Sequence, residues 1–395
     1  MFFDENNNLF TYQQAKEELL TINNIPFCLA PQDLEELSYK ISIFLKLEEY
    51  KIKSIQSSQL FLKASRRRVE LYKDAKLKMI KKIKSNNSKI IKDIDDKQLP
   101  QVKFNPYLEL FFKDWLLDQV DNLSYIEKIP TNGKNILFLG CGAARLAYEY
   151  AKNNSTIYVY ATDINPINLT FIFNQKNTKL FDITKHPTSL ENTVKKYDFT
   201  SPQELPNFFP FVSDFYKLKI ERFDHVVSNW FLDILPQDVF SNLSHLLTFI
   251  KDDGYFTYIG LSNFYNKSLE ESYTDIELDE LFSEYFEESH SEIQDYNYLH
   301  APYVSQKRKE RILIANCKKP RRNKAISIEN KSLKLDFDQD LAAKKMELIT
   351  YAKFLAHVDS TIDTEQAKVI LKKEFGFNDL EAQNYAKLMI EKLSS

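Results

Sequence analysis

The spacing of apolar and polar positions changes character along the chain. Up to about residue 100 the apolar residues recur at helical steps. After Pro31, the residues Leu34, Leu37, Ile41 and Leu45 form one stripe, which predicts an amphipathic helix. From Arg66 to Lys97 lysine and arginine dominate, with Val69, Leu77, Ile80, Ile83 and Ile90 interleaved. Glu70, Asp74, Asp93, Asp95 and Asp96 dilute that charge, so a solvated helix face is favoured over a nucleic-acid or membrane contact. Asn86-Asn87-Ser88 should end this helix. Phe104 to Lys128 predicts another amphipathic helix, with Leu108, Phe111, Phe112, Trp115 and Leu116 inward.

Short apolar runs then replace the helical stripes. Ile136–Leu139 and Ile157–Ala161 read as strands buried on both faces of a parallel sheet, the second ending on Asp163. Between them lie the turn Gly140-Cys141-Gly142 and a run of good helix formers from Ala143 to Ala151. Pro166 to Asn177 predicts the next helix, and Lys179 to Pro210 a long polar loop containing His186-Pro187. Strands are expected at Phe211–Phe215, Phe223–Asp233, Tyr255–Ile259 and Arg311–Ala315, with a helix from Gln237 to Ile250 and a turn at Lys251–Gly254. Past a basic linker at Lys318–Lys324, helices are expected at 338–357, 364–374 and 378–393, after one candidate strand at Ser327–Phe337.

Composition narrows the classes. At 395 residues the chain should hold more than one domain, and 43% hydrophobic residues supply ample core. A net charge of −3 argues against bulk nucleic-acid binding. The cysteines Cys28, Cys141 and Cys317 show no paired spacing, which removes a disulfide framework or cysteine zinc site. The histidines are scattered, so no metal site is expected, and His225 reads as a core residue. No signal-peptide profile and no long apolar span occur, so a cytoplasmic protein is expected.

The chemistry concentrates at Lys134–Asp163. Strand, glycine turn, helix and a strand tipped with a carboxylate make a βαβ nucleotide-binding unit, in which the glycines admit a ligand to the backbone and the acid accepts from ribose hydroxyls. A dinucleotide site would place a third glycine where Arg145 stands, and no P-loop Lys-Ser/Thr pair follows. The pattern resembles class I S-adenosylmethionine (AdoMet) methyltransferases. That implies an α/β, Rossmann-like sheet in a methyltransferase domain at 104–320. A helical region at 1–103 would precede it, and a small helical module at 321–395 would follow. The module is similar to winged-helix peptide-recognition units, which implies a peptide or protein partner, with a simple packing extension as the alternative.

Further motifs sharpen the resemblance. Phe111-Phe112-Lys113-Asp114-Trp115, Gly140–Ala151, Ser213-Asp214-Phe215 and Trp230-Phe231-Leu232-Asp233 stand in the order and spacing of the carnosine N-methyltransferase family, from about residue 35 to Pro320. The resemblance implies that Lys113 replaces an arginine holding the AdoMet carboxylate. It places Gly140, Gly142, Arg145 and Asp163 at the cofactor, with Asp214 and Phe215 at the adenine and Asn229 also touching AdoMet. Asp233 would contact the substrate's imidazole. Tyr265 would stand in for a histidine of the family, and Tyr296, Tyr298, His300 or Tyr303 would serve on the substrate side.

The expected reaction is methylation of an imidazole nitrogen in a histidine-containing dipeptide or peptide. A neutral imidazole has one N–H and one lone pair. A carboxylate accepting the N–H fixes the tautomer and turns the other nitrogen to the methyl donor. Aspartate before Leu235-Pro236 could also be a helix cap. Methylation of another amine or hydroxyl stays open. A catalytically silent scaffold is disfavoured, because both the glycine turn and the ribose acid are intact.

Overall fold

A computed structural model describes residues 2–3, 9–94, 112–116, 120–173, 178–184, 186–261, 273–298, 305, 308–321, 364–375, 382 and 386. The chain forms two compact units, Met1–Arg322 and Asn323–Ser395. In the second, the described helix is Thr364–Phe375, with Ala367 and Leu371 buried. The helix expected at 338–357 and the strand at Ser327–Phe337 lie outside the described residues; of the helix expected at 378–393, Ala382 and Ala386 are described, helical and buried.

The first unit opens with α1 (Tyr12–Glu18), capped by Thr11 and Gln14 in a reciprocal pair of hydrogen bonds. Two long helices follow, α2 (Pro31–Ser54) and α3 (Lys63–Asn86). The stripe after Pro31 buries Leu37, Ile41 and Leu45, and α3 ends where the Asn-Asn-Ser sequence placed its end. Of the helix expected at 104–128, the described parts are a π-helical turn, Phe112–Leu116, and a 3-10 stretch, Val120–Lys128.

The sheet carries β1 (Asn135–Leu139), β2 (Tyr158–Asp163), β5 (Phe208–Val212), β6 (Phe223–Asn229), β7 (Ile250–Gly260), β8 (Phe286–Tyr298) and β9 (Arg308–Pro320). Its order is β8-β9-β7-β6-β1-β2-β5. Neighbours from β5 through β7 run parallel, and β9 runs antiparallel to both β7 and β8. This is a mixed α/β, Rossmann-like arrangement. Ile136 to Leu139 are almost wholly buried, as a central parallel strand with both faces covered requires. Four further helices join the strands: α4 (Arg145–Asn153), α5 (Pro166–Ile172), α6 (Val239–Leu247) and α7 (Asp275–Tyr285).

Several expectations are corrected. Lys179–Pro210 is not a bare loop: β3 (Thr178–Ile183) and β4 (Val194–Phe199) form an antiparallel hairpin. Leu180 and Phe199 are buried, while Lys179, Lys196 and Asp198 stay exposed and hide the alternation. No turn interrupts Lys251–Gly254, because β7 runs through it with a register shift opposite Phe223 and His225. Strand β8 was not expected at all. Its sequence, FEESHSEIQDYNY, is too charged to read as a strand, and it occupies the sheet margin where charge is tolerated.

At the opposite margin the N-terminal segment lies on β5. Phe27 bridges to Val212, and the Cys28 N–H donates to the Val212 carbonyl at 2.8 Å. Inside the sheet, a buried polar chain crosses three strands. His225 Nε2 lies 2.8 Å from Thr257 Oγ1, whose hydroxyl donates to Asn316 Oδ1 at 2.6 Å. Burial pushes the His225 imidazole down to about 4, so it is a neutral core residue.

Candidate active site

Strand order reverses between β1 and β6, and in such sheets ligands bind outside the carboxyl ends of the strands at that point. Gly140 leaves β1 with φ +59°, and Gly142 and Ala144 follow at +55°. The Cys141 N–H donates to the Thr162 carbonyl at 2.9 Å, and the Gly142 N–H to Asp163 Oδ2 at 2.8 Å. Asp163 Oδ1 accepts from the Asn165 N–H, also at 2.8 Å. The turn is therefore fastened to the tip of β2 by one carboxylate. Loss of solvent pushes that carboxyl up to about 6, against the pull of its backbone donors.

Glycine at 140 is a packing requirement as well as a conformational one. A Cβ there would fall 2.0 Å from Cδ2 of Phe231, whose ring lies on the turn. Phe231 also stands edge-on to Phe215, with ring centroids 5.3 Å apart. Phe215 belongs to an aromatic cluster with His245 and Phe249, and its carbonyl lies 2.8 Å from His245 Nε2. Next to it, Asp214 Oδ1 accepts from the Tyr216 N–H at 2.9 Å.

The π-helical turn Phe112–Leu116 reaches the glycine turn. Trp115 donates its indole N–H to the Ala143 carbonyl at 2.7 Å. The Arg145 guanidinium sits 4.6 Å from the Trp115 ring and pairs with Glu149 at 2.8 Å. Arg145 thus holds Trp115 and the first turn of α4 together. Beside them opens a cavity of about 280 Å³ lined by Trp115, Arg145, Tyr197, Phe199 and Pro202.

At the tip of β6, Asn229 Oδ1 is buried with no hydrogen-bond partner among the described residues. Trp230 adopts φ +52°, donates its N–H to Ile259, and places its ring 5.6 Å from Tyr296. Asp233 follows in a 3-10 turn, 2% exposed. Its Oδ1 has no partner among the described residues, and burial pushes the carboxyl up to about 6.

The fold therefore brings Gly140, Gly142, Arg145, Asp163, Asp214, Phe215, Asn229 and Asp233 to the carboxyl end of the sheet. Lys113 lies in the Phe112–Leu116 turn, and its side chain is outside the described set, as is that of Tyr298 at the end of β8. Tyr265, His300 and Tyr303 also lie outside the described residues. Sequence reasoning gave Phe231 no contact of its own and did not foresee the left-handed Trp230. No residue pattern announces either. Among the described residues no cluster of three or more His, Cys, Asp or Glu could hold a metal ion.

No protein-family model matches the chain, and no curated protein matches it. The carnosine N-methyltransferase resemblance gains no support from either. Solved structures do match. One is a SAM-dependent methyltransferase of Thermotoga maritima, described as a possible histamine N-methyltransferase. It is 12% identical, covers 54% of this chain and 94% of its own, and gives a TM-score of 0.33. A SAM-dependent methyltransferase of Aquifex aeolicus gives 14%, 54%, 98% and 0.33. A TehB-like SAM-dependent methyltransferase of Corynebacterium glutamicum gives 16%, 54%, 100% and 0.31. Likenesses this distant carry nothing about substrate, and the fold rests on the strand order itself.

Proposed function

We propose that the chain is an AdoMet-dependent N-methyltransferase acting on the imidazole of a histidine-containing dipeptide or peptide. The observation that carries the reading is Asp233, a buried carboxylate just beyond the β6 tip with an oxygen that has no partner among the described residues. A buried acceptor left open calls for a donor from a ligand. An imidazole N–H is such a donor, whereas a fully substituted nucleophile is not.

The remaining residues fit the cofactor. Asp163 keeps lone pairs free for ribose hydroxyls beyond those used by its backbone donors. Asp214 accepts from the adenine amine, and Asn229 Oδ1 from the methionine ammonium. AdoMet supplies an electrophilic methyl group. The chain's own part is to hold the acceptor nitrogen in line and to keep its partner nitrogen hydrogen-bonded to Asp233.

The test is methyl transfer from labelled AdoMet, read by mass spectrometry on carnosine, histidine and histidine-containing peptides. Wild type is run beside Asp233→Asn. The expected result is label on an imidazole, falling by about a hundredfold or more in the variant. Label on a different nucleophile sinks the imidazole assignment while keeping the transferase. Failure to bind AdoMet sinks both.

A further inference from the structure

The turn between α2 and α3 has a composition that neither the core nor the candidate site uses. Phe61 is 93% exposed and Leu62 beside it 60%. Single exposed apolar residues are ordinary, but here two are adjacent in one turn. Behind them, the first two turns of α3 carry Lys63, Arg66, Arg67 and Arg68, while no acid occurs between Gln56 and Val69. Three- and four-residue steps put Leu62 with Arg66, and Lys63 with Arg66 and Arg67, on one side of the helix.

The turn is not loose. Ser57 donates its hydroxyl to Glu70, the Lys73 ammonium donates to the Ile55 carbonyl at 2.8 Å, and Arg66 Nη2 donates to the Phe61 carbonyl at 3.3 Å. Farther along, charge is matched within the protein: Lys78 pairs with Asp74 and Lys84 with Glu49. The basic residues around Phe61 and Leu62 have no such carboxylate pairing among the described residues.

We propose that this tip is a docking surface for an anionic lipid bilayer. Phe61 and Leu62 enter the headgroup boundary, and Lys63, Arg66, Arg67 and Arg68 meet the lipid phosphates and carboxylates. Charge complementarity selects an anionic partner. The aliphatic Leu62 beside Phe61 favours a bilayer over single-stranded nucleic acid, whose bases stack on aromatic rings and arginine planes. The sequence favoured a solvated face because acids dilute the segment as a whole. Those acids begin at Glu70, one turn beyond Arg66, so the residues nearest Phe61 and Leu62 are undiluted.

Co-sedimentation of the full chain with vesicles tests this. Phosphatidylcholine vesicles are compared with phosphatidylcholine–phosphatidylserine vesicles, at low and high salt. Binding is expected only with phosphatidylserine, and weakened by salt. Arg66→Gln with Arg67→Gln and Arg68→Gln should reduce it about a hundredfold, at roughly fivefold per charge. Phe61→Ser with Leu62→Ser should also reduce it, and these exposed sites leave the fold intact by circular dichroism. Phe61→Trp should show a blue-shifted emission on anionic vesicles that wild type lacks. Absence of binding, binding indifferent to these variants, or preference for a single-stranded RNA oligonucleotide over vesicles overturns the proposal.

Discussion

The backbone N–H of Gly142 donates to Oδ2 of Asp163 at 2.8 Å, so the glycine turn and the tip of the second strand are one hydrogen-bonded piece. The acid proposed for the ribose is thus also the clamp on the loop facing the ligand. A neutral acid is a poorer acceptor on both counts. With its carboxyl at about 6, Asp163 should make AdoMet affinity fall as pH drops through about 6, approaching tenfold per unit below it. Calorimetric titration of AdoMet or S-adenosylhomocysteine between about pH 5 and about pH 8 reads the midpoint, which should disappear in Asp163→Asn.

Gly140 and Phe231 make a second pair. Gly140→Ala places a methyl group inside the Phe231 ring and demands a left-handed alanine. The expected loss is about 2–4 kcal/mol, combining overpacking with the backbone term. Adding Phe231→Ala should recover the overpacking part and leave the backbone part. A double-mutant cycle from urea unfolding separates them, and simple additivity would contradict the contact.

Trp115→Phe keeps most of the ring beside Arg145 and removes the indole N–H that holds Ala143. Unfolding free energy should drop by about 1 kcal/mol, more if the Ala143 carbonyl is left dry. Trp115→Ala should cost more than Trp115→Phe, since it also removes the ring under the guanidinium. Chemical denaturation of the three proteins ranks them.

Turnover should follow Asp233. Only the ionised carboxylate accepts an imidazole N–H without offering a competing proton, so the rate should rise with pH through about 6. The pH profile of kcat carries this, and Asp233→Asn should flatten that limb at a far lower rate. A limb unchanged in the variant would assign it to another group.

His225 predicts the opposite arrangement in stability. Its folded value of about 4 lies below the ordinary 6.5, so the unfolded chain binds the proton first as pH falls. Stability should therefore decline from about pH 6.5 to about pH 4, by on the order of 3 kcal/mol from this group. Asp163 and Asp233, raised above 3.8, act with the other sign: their protonated forms favour the fold, an advantage lost as pH rises through about 6. Urea midpoints of wild type minus His225→Gln isolate the histidine's share.

The half of the sheet around the glycine turn was legible because local signals agreed there. Ile136–Leu139 is apolar throughout, the glycines sit at left-handed positions, and Asp163 closes the next strand. The residue pattern places the third strand three residues late because Pro210 reads as a loop marker, whereas it lies within β5. The hairpin and β8 were missed for a shared reason: a strand exposed on one side or at an edge carries charges, and charge erases the period. The Phe231 contact and the Trp230 backbone arise from tertiary packing, which no spacing of residues encodes.

The Phe27–Val212 bridge bears on how such a protein can be divided. Strand β5 would otherwise end the sheet with bare N–H and C=O groups, and the segment before α2 supplies their partners there. A fragment trimmed to the part that resembles a methyltransferase would lose this selvage and gain an adhesive border. Resemblance and foldability therefore draw different boundaries on this chain, and any transplant of the sheet must carry the residues around Phe27 with it.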